Sequence, residues 1–230
     1  MTDTGRYLSI CFVFFSFAWL AVPAHAGGIS LGATRAIYLS DKQQISLTVS
    51  NSDEQAPNLI QSWISDKDNK KTSEFIVTPP LFIIQPKREN ALRIIHVGAP
   101  LSQTQETLFW INVKAIPATD KVQTQSELQL AVVNRIKLFY RPIGLKTKPE
   151  DALALLRFHR QGAQLFIENP SAYYLTLVNL KLGSSALPNT MLPPHSKVSL
   201  AASTNSGERV TFQTINDYGA LTPVSKSLLQ

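Results

Sequence analysis

Leu128-Gln129-Leu130-Ala131-Val132-Val133-Asn134-Arg135-Ile136-Lys137-Leu138-Phe139-Tyr140-Arg141-Pro142 contains the longest strand-like stretch in the chain, closed by Pro142 and Gly144. Leu128, Leu130 and Val132 recur at period two and share one face of a strand. Ala131 and Val133, on the other face, are also apolar. A strand apolar on both faces has to be covered on both. Two readings meet that demand. It is a central strand of a sandwich, or it is an edge strand whose second apolar face awaits another protein. An edge of the second kind is an aggregation hazard unless used or capped. Periodicity leaves both open, with the central strand the simpler.

Outward from that stretch the chain reads as strands almost throughout. Ile45-Ser46-Leu47-Thr48-Val49 alternates apolar and polar, as a half-buried strand should. Strand candidates follow at residues 59–64, 75–77, 81–84, 91–97 and 107–116, then at 164–168, 175–182, 197–200 and 209–215. Turn clusters such as Asn51-Ser52-Asp53 and Pro79-Pro80 separate them. Only residues 149–153 hint at helix. This spacing predicts an all-β sandwich architecture. The length of 230 residues suits one large domain or two of about 100 residues each. Gly, Pro and charge interrupt the strands at residues 144–150, which is where a boundary is expected.

The N-terminus reads as an export signal. Arg6 precedes an apolar run, residues 7–22, then a helix-breaking Pro23 and the cleavage pattern Ala24-His25-Ala26. The alternative, a permanent anchor, asks a short run to span about 30 Å of hydrocarbon. Cleavage after Ala26 is therefore expected, with no membrane insertion afterwards. Cys11, the only cysteine, lies inside this segment, so the mature chain would gain no stability from disulfides even where they are permitted. The net charge is +6. Export and the scatter of the basic residues speak against a nucleic-acid partner.

Little in the chain suggests catalysis. His25, His96, His159 and His195 belong to no metal motif. Gly-x-Ser-x-Gly elbows and Gly-rich phosphate loops are missing, and Asp66-x-Asp68-Asn69 lacks the rest of a calcium loop. No enzyme, cofactor or metal is expected. A secreted adhesion or structural module would explain the signal and the sandwich; a hydrolase would lack a recognisable nucleophile and base.

A family resemblance decides between these readings. Asn134-Arg135-Ile136-Lys137-Leu138-Phe139-Tyr140-Arg141-Pro142 resembles the signature segment of the periplasmic pilus chaperones of the chaperone–usher pathway. Ala33-Thr34-Arg35-Ala36-Ile37-Tyr38 resembles that family's first strand, and Phe109-Trp110-Ile111-Asn112-Val113-Lys114-Ala115-Ile116-Pro117 its strand F. Asn169-Pro170-Ser171-Ala172-Tyr173-Tyr174 and Ile215-Asn216-Asp217-Tyr218-Gly219 resemble motifs of its C-terminal domain. Five modest motifs in the expected order are together specific.

The resemblance implies two immunoglobulin-like β-sandwich domains arranged as a boomerang with an interdomain cleft, residues 27–146 and 147–230, after a signal peptide at 1–26. It implies a periplasmic protein that completes unfinished pilus (fimbrial) subunits by lending them a β-strand, then delivers them to an outer-membrane usher. Leu128, Leu130 and Val132 match the donor positions, with Gln129, Ala131 and Val133 expected on the protein's own side. Arg35 and Lys137 match the two cations that anchor the subunit's C-terminal carboxylate, and Glu106, Arg141 and Asp217 match an interdomain charge network. Lys137 lies an odd number of residues from Val132, so a bulge or the cleft geometry has to reconcile their roles. Residues 118–127 form a short loop without cysteines, as in the branch serving rod-like pili, and Ala115 stands where an acidic residue is common. The exposed apolar strand also suggests a self-capping oligomer.

Overall fold

The structure, a computed structural model, describes residues 27–118, 130–202 and 207–229. The signal-like segment, Leu128 and nearly all of the loop at 118–127 lie outside those residues.

Nine strands build the first half: β1 (Ile29–Leu31), β2 (Arg35–Leu39), β3 (Ile45–Asn51), β4 (Asn58–Ser65), β5 (Phe75–Thr78), β6 (Leu81–Ile84), β7 (Glu89–His96), β8 (Thr107–Pro117) and β9 (Val132–Arg141). They form two facing sheets, β1-β3-β7-β5 and β2-β9-β8-β4-β6. Alternation drives the packing. In β3, Leu47 and Val49 are buried while Ser46 and Thr48 are exposed, so one face supplies the core and the other meets water. Ile60, Ile64, Leu92, Ile94, Ile111, Val113 and Leu138 are sealed between the sheets. Among the changes of sheet along the chain, those from β1 to β2 through Gly32-Ala33-Thr34 and from β5 to β6 through Pro79-Pro80 take three residues or fewer.

The second half begins with a single 3-10 turn, Ala152–Leu155, where residues 149–153 hinted at helix. Eight strands follow: β10 (Arg157–Gln161), β11 (Gln164–Asn169), β12 (Leu175–Leu182), β13 (Ser185–Ala186), β14 (Thr190–Leu192), β15 (Ser196–Ala201), β16 (Arg209–Thr214) and β17 (Ser225–Leu228). One sheet is β10-β11-β15 and the other is β13-β12-β16-β17, with β14 also on β12. Phe158, Leu165, Ile167, Leu177, Leu180, Leu182, Val210 and Phe212 fill a second, separate core. Two sandwiches with two cores are the all-β, two-domain architecture expected from the sequence.

β1, β2, β10, β13, β14 and β17 are strands that the pattern reading does not mark; β2 is marked only by the family resemblance of residues 33–38. The long stretch at 128–140 is a strand from Val132 onward; Leu130 and Ala131 precede it without regular pairing.

Candidate functional site

The site grows from the pairing of β2 with β9. These two strands run parallel, in the register Arg35 to Lys137 through Leu39 to Arg141. β9 is also antiparallel to β8 along its whole length, from Thr107–Tyr140 to Ala115–Val132, without a register shift. β2 therefore occupies the free edge of β9 only from Lys137 onward. Ahead of Lys137 that edge has no strand neighbour among the described residues.

The regular ladder settles how Lys137 relates to Val132. Even-numbered residues of β9, Ile136, Leu138 and Tyr140, face the core of the first sandwich. Val132 continues that parity, as would Leu130. Yet both are largely exposed, at 58% and 68%, because the strand runs past the part of the sandwich that covers it. Odd-numbered residues face the cleft. Val133, expected on a covered side, is instead 46% exposed there, opposite Lys114 and on the face of Arg135 and Lys137. No bulge is needed: Leu130 and Val132 extend the parity of the core face and Lys137 belongs to the opposite one.

Parallel register places Arg35 and Lys137 side by side at the mouth of the cleft. Arg35 donates from one Nη to the carbonyl oxygen of Ile215 at 2.9 Å, and its buried Nε has no hydrogen-bond partner. Lys137 donates from Nζ to the Thr176 hydroxyl at 3.1 Å. Neither forms an ion pair with a carboxylate among the described residues. Burial, then the nearby Arg35 charge, lowers the affinity of Lys137 for its proton. Burial does the same to Arg35, partly offset by Asp217 and Glu106. Two half-buried cations held only by neutral acceptors form a receptive site for an anion. An interdomain cavity of about 530 Å³ adjoins Arg35.

Arg141, the last residue of β9 that pairs with β2 and buried in the joint, bridges the domains. Its Nε donates to Glu106 Oε1 at 2.7 Å, while the two Nη atoms donate to Asp217 Oδ2 and Oδ1 at 2.6 and 2.8 Å. Glu106 Oε2 accepts from the Tyr174 backbone N–H at 2.7 Å, and the Glu106 N–H donates to the Ala172 carbonyl at 2.9 Å. The Arg141 guanidinium also lies 5.2 Å from the Tyr173 ring centroid. Arg141 is held protonated because its hydrogen bonds and charge contacts with the two acids outweigh burial. Glu106 is pushed up by burial, which outweighs the pull of Arg141 and of the Tyr174 N–H. Glu106, Arg141 and Asp217 are thus brought together, as are Arg35 and Lys137.

The joint has a further contact. Gly219, at φ +83°, closes the turn after Asn216, whose Oδ1 accepts from the Tyr218 and Ala220 N–H groups at 3.1 and 2.9 Å. A Cβ on Gly219 would clash with Thr34 Oγ1. Thr176, the Ile215 carbonyl, the Tyr174 N–H and the Gly219–Thr34 contact all serve the site, and side-chain motifs do not single them out. Their only sequence signal is membership of the first-strand motif for Thr34 and of the two C-terminal motifs for Tyr174, Ile215 and Gly219; Thr176 has not even that.

Two family models match the chain. Residues 28–146 match "Pili and flagellar-assembly chaperone, PapD N-terminal domain", and residues 151–226 match "Pili assembly chaperone PapD, C-terminal domain". The chain is 47% identical to chaperone protein FocC of Escherichia coli over 212 residues, covering 91% of this chain and 93% of that protein. It is 45% identical to chaperone protein FimC of Escherichia coli strain K12 over 205 residues, covering 88% and 85%. Its fold is similar to that of the periplasmic chaperone SfaE, with a TM-score of 0.79, 47% identity and coverage of 88% and 100%. It is also similar to a structure of Salmonella enterica SafA pilin in complex with the SafB chaperone, with a TM-score of 0.81, 29% identity and coverage of 90% and 98%.

Proposed function

The chain belongs to the PapD-type family of pilus-assembly chaperones, a non-enzymatic family, and from that membership we propose how this member works. It enters the periplasm, loses residues 1–26, and there binds pilus subunits that lack a strand. Leu128, Leu130 and Val132 enter the subunit's open groove while the backbone of β9 pairs with the subunit's edge. Arg35 and Lys137 grip the subunit's C-terminal carboxylate and fix the register. Glu106, Arg141 and Asp217 hold the interdomain angle without touching the subunit. The domain boundary falls between residues 146 and 147, and the protein belongs to the short-loop branch. An outer-membrane usher receives the subunit when another donor strand replaces β9, with no cofactor involved.

One observation carries this reading: the unpaired edge of β9, with exposed Val132 on it and exposed Leu130 just ahead of it, begins where two carboxylate-free cations stand together. Burying each of those side chains in a groove contributes about 1.5–3 kcal/mol of transfer free energy before ordering costs. Without a subunit the same edge is expected to cap itself by self-association. Co-expression of the mature protein with a pilus subunit of its own organism tests the reading. A stable complex with the wild type that is lost in Arg35→Ala and Lys137→Ala, both still folded, is expected. An undiminished complex in both variants would overturn the anchor assignment.

A further inference from the structure

Arg135 belongs to neither the anchor nor the interdomain network, yet it lies on the anchor's face. Across β8, Val133 pairs with Lys114, Arg135 with Asn112 and Lys137 with Trp110. The Arg135 guanidinium carbon sits 4.1 Å from the Trp110 ring centroid. An exposed arginine ordinarily samples many rotamers, and stacking on indole restricts it while leaving its donors free. No carboxylate pairs with Arg135 among the described residues. β4, β8 and β9 contribute Lys114, Arg135 and Lys137 to the cleft face and no acidic residue. The positive charge of the anchor therefore continues along the strand.

Strand geometry says what passes over it. β2 closes the β9 edge from Lys137 onward. A subunit strand that ends with its carboxylate on Arg35 and Lys137 can only run back along β9 toward Leu130, parallel to it. At about 3.3 Å per residue, Arg135 lies about 6.6 Å from the anchor, level with the region two residues before the subunit's last. We propose that Arg135, held in place by Trp110, determines specificity by reading an acidic side chain on the cleft-facing side of the subunit's terminal strand. The proposal rests on the strand-addition reading above.

The test uses the mature protein and synthetic peptides of alternating apolar and polar residues with a free C-terminal carboxylate. Each peptide carries one Glu or one Lys at a different position near its C-terminus, and affinity is read by fluorescence anisotropy. At one position, near the second residue before the last, the Glu peptide should bind about tenfold tighter than the Lys peptide. Arg135→Gln should abolish that difference, Arg135→Glu should invert it, and Trp110→Leu should diminish it. Amidation of the peptide C-terminus should weaken binding in all four proteins. A Glu–Lys preference that survives Arg135→Gln, or equal binding at every position while amidation still weakens binding, overturns the role of Arg135 and leaves the anchor standing. Binding indifferent to amidation, or no binding to the wild type, overturns the anchor and the proposal together.

Discussion

Arg35 and Lys137, 102 positions apart in sequence, are register partners in a parallel strand pair. Like charges so placed repel, and burial adds to the cost. Such an arrangement is poor for stability and good for holding an anion. Substituting either cation should therefore leave the unfolding midpoint in denaturant nearly unchanged. Subunit affinity should fall by the loss of one charge-assisted contact, about 1.5–3 kcal/mol, or about 10- to 150-fold. Isothermal titration beside urea denaturation checks both halves. A large drop in stability would reassign the pair to structure.

Arg141 behaves in the opposite way. Arg141→Ala leaves the carboxylate of Glu106, buried at 2% exposure, without its main partner. Breaking a buried pair by removing one side costs about 3–5 kcal/mol. Denaturant unfolding should show a loss of that order, and small-angle scattering should show a changed interdomain arrangement. Arg141→Lys should rescue little, because an ammonium cannot reproduce the forked contact with Asp217. Unaltered scattering from a folded Arg141→Ala variant would contradict the hinge role.

Glu106 gives the joint a pH signature. Burial raises its proton affinity in the folded state, so between the ordinary carboxylate value of about 4.3 and the raised one the folded state binds more protons than the unfolded chain. Stability contributed by this group is therefore present at the acidic side of that window and is lost as pH rises through it. Glu106→Gln removes the titration. Urea denaturation of both proteins across the window should show the wild type losing stability relative to the variant as pH increases. A constant difference would mean that Arg141 and the Tyr174 N–H cancel burial, and a wild type that gains stability relative to the variant as pH rises would mean that they outweigh it.

Gly219 is expected to be intolerant of substitution. Gly219→Ala places a Cβ against Thr34 and forces a side chain onto a positive φ. The backbone contribution alone is about 1–3 kcal/mol. Adding Thr34→Ala removes the clashing hydroxyl and should recover the steric part of the loss but not the backbone part. Full recovery, or none, in a thermal unfolding cycle would show that only one of the two causes operates.

The sandwich architecture was legible because alternation in β3, β4, β8 and β9 exceeds what loops show. β10 and β17 escaped because Arg157-Phe158-His159-Arg160-Gln161 and Ser225-Lys226-Ser227-Leu228 are edge strands with few apolar positions, and edges are kept polar. β13 and β14 are only two and three residues long. At the site, Arg35, Lys137, Glu106, Arg141 and Asp217 were readable through motif resemblance. Their neighbours Thr176, Ile215 and Tyr174 were not assigned roles, since two of them act through backbone atoms that any residue would supply. The parity of Lys137 against Val132 looked like a conflict in the sequence. It dissolves once the sandwich is seen to cover only part of β9.

The central claim is that the open edge of β9 becomes the partner of a subunit strand. Backbone amide hydrogen exchange over residues 130–136, on the monomeric mature protein alone and in complex with a subunit of its own organism, measures this directly. Those amides not already bonded to β8 should exchange freely in the unbound monomer and become strongly protected in the complex, while residues 137–141 stay protected in both. A stable complex in which residues 130–136 exchange as fast as in the free protein would contradict strand addition.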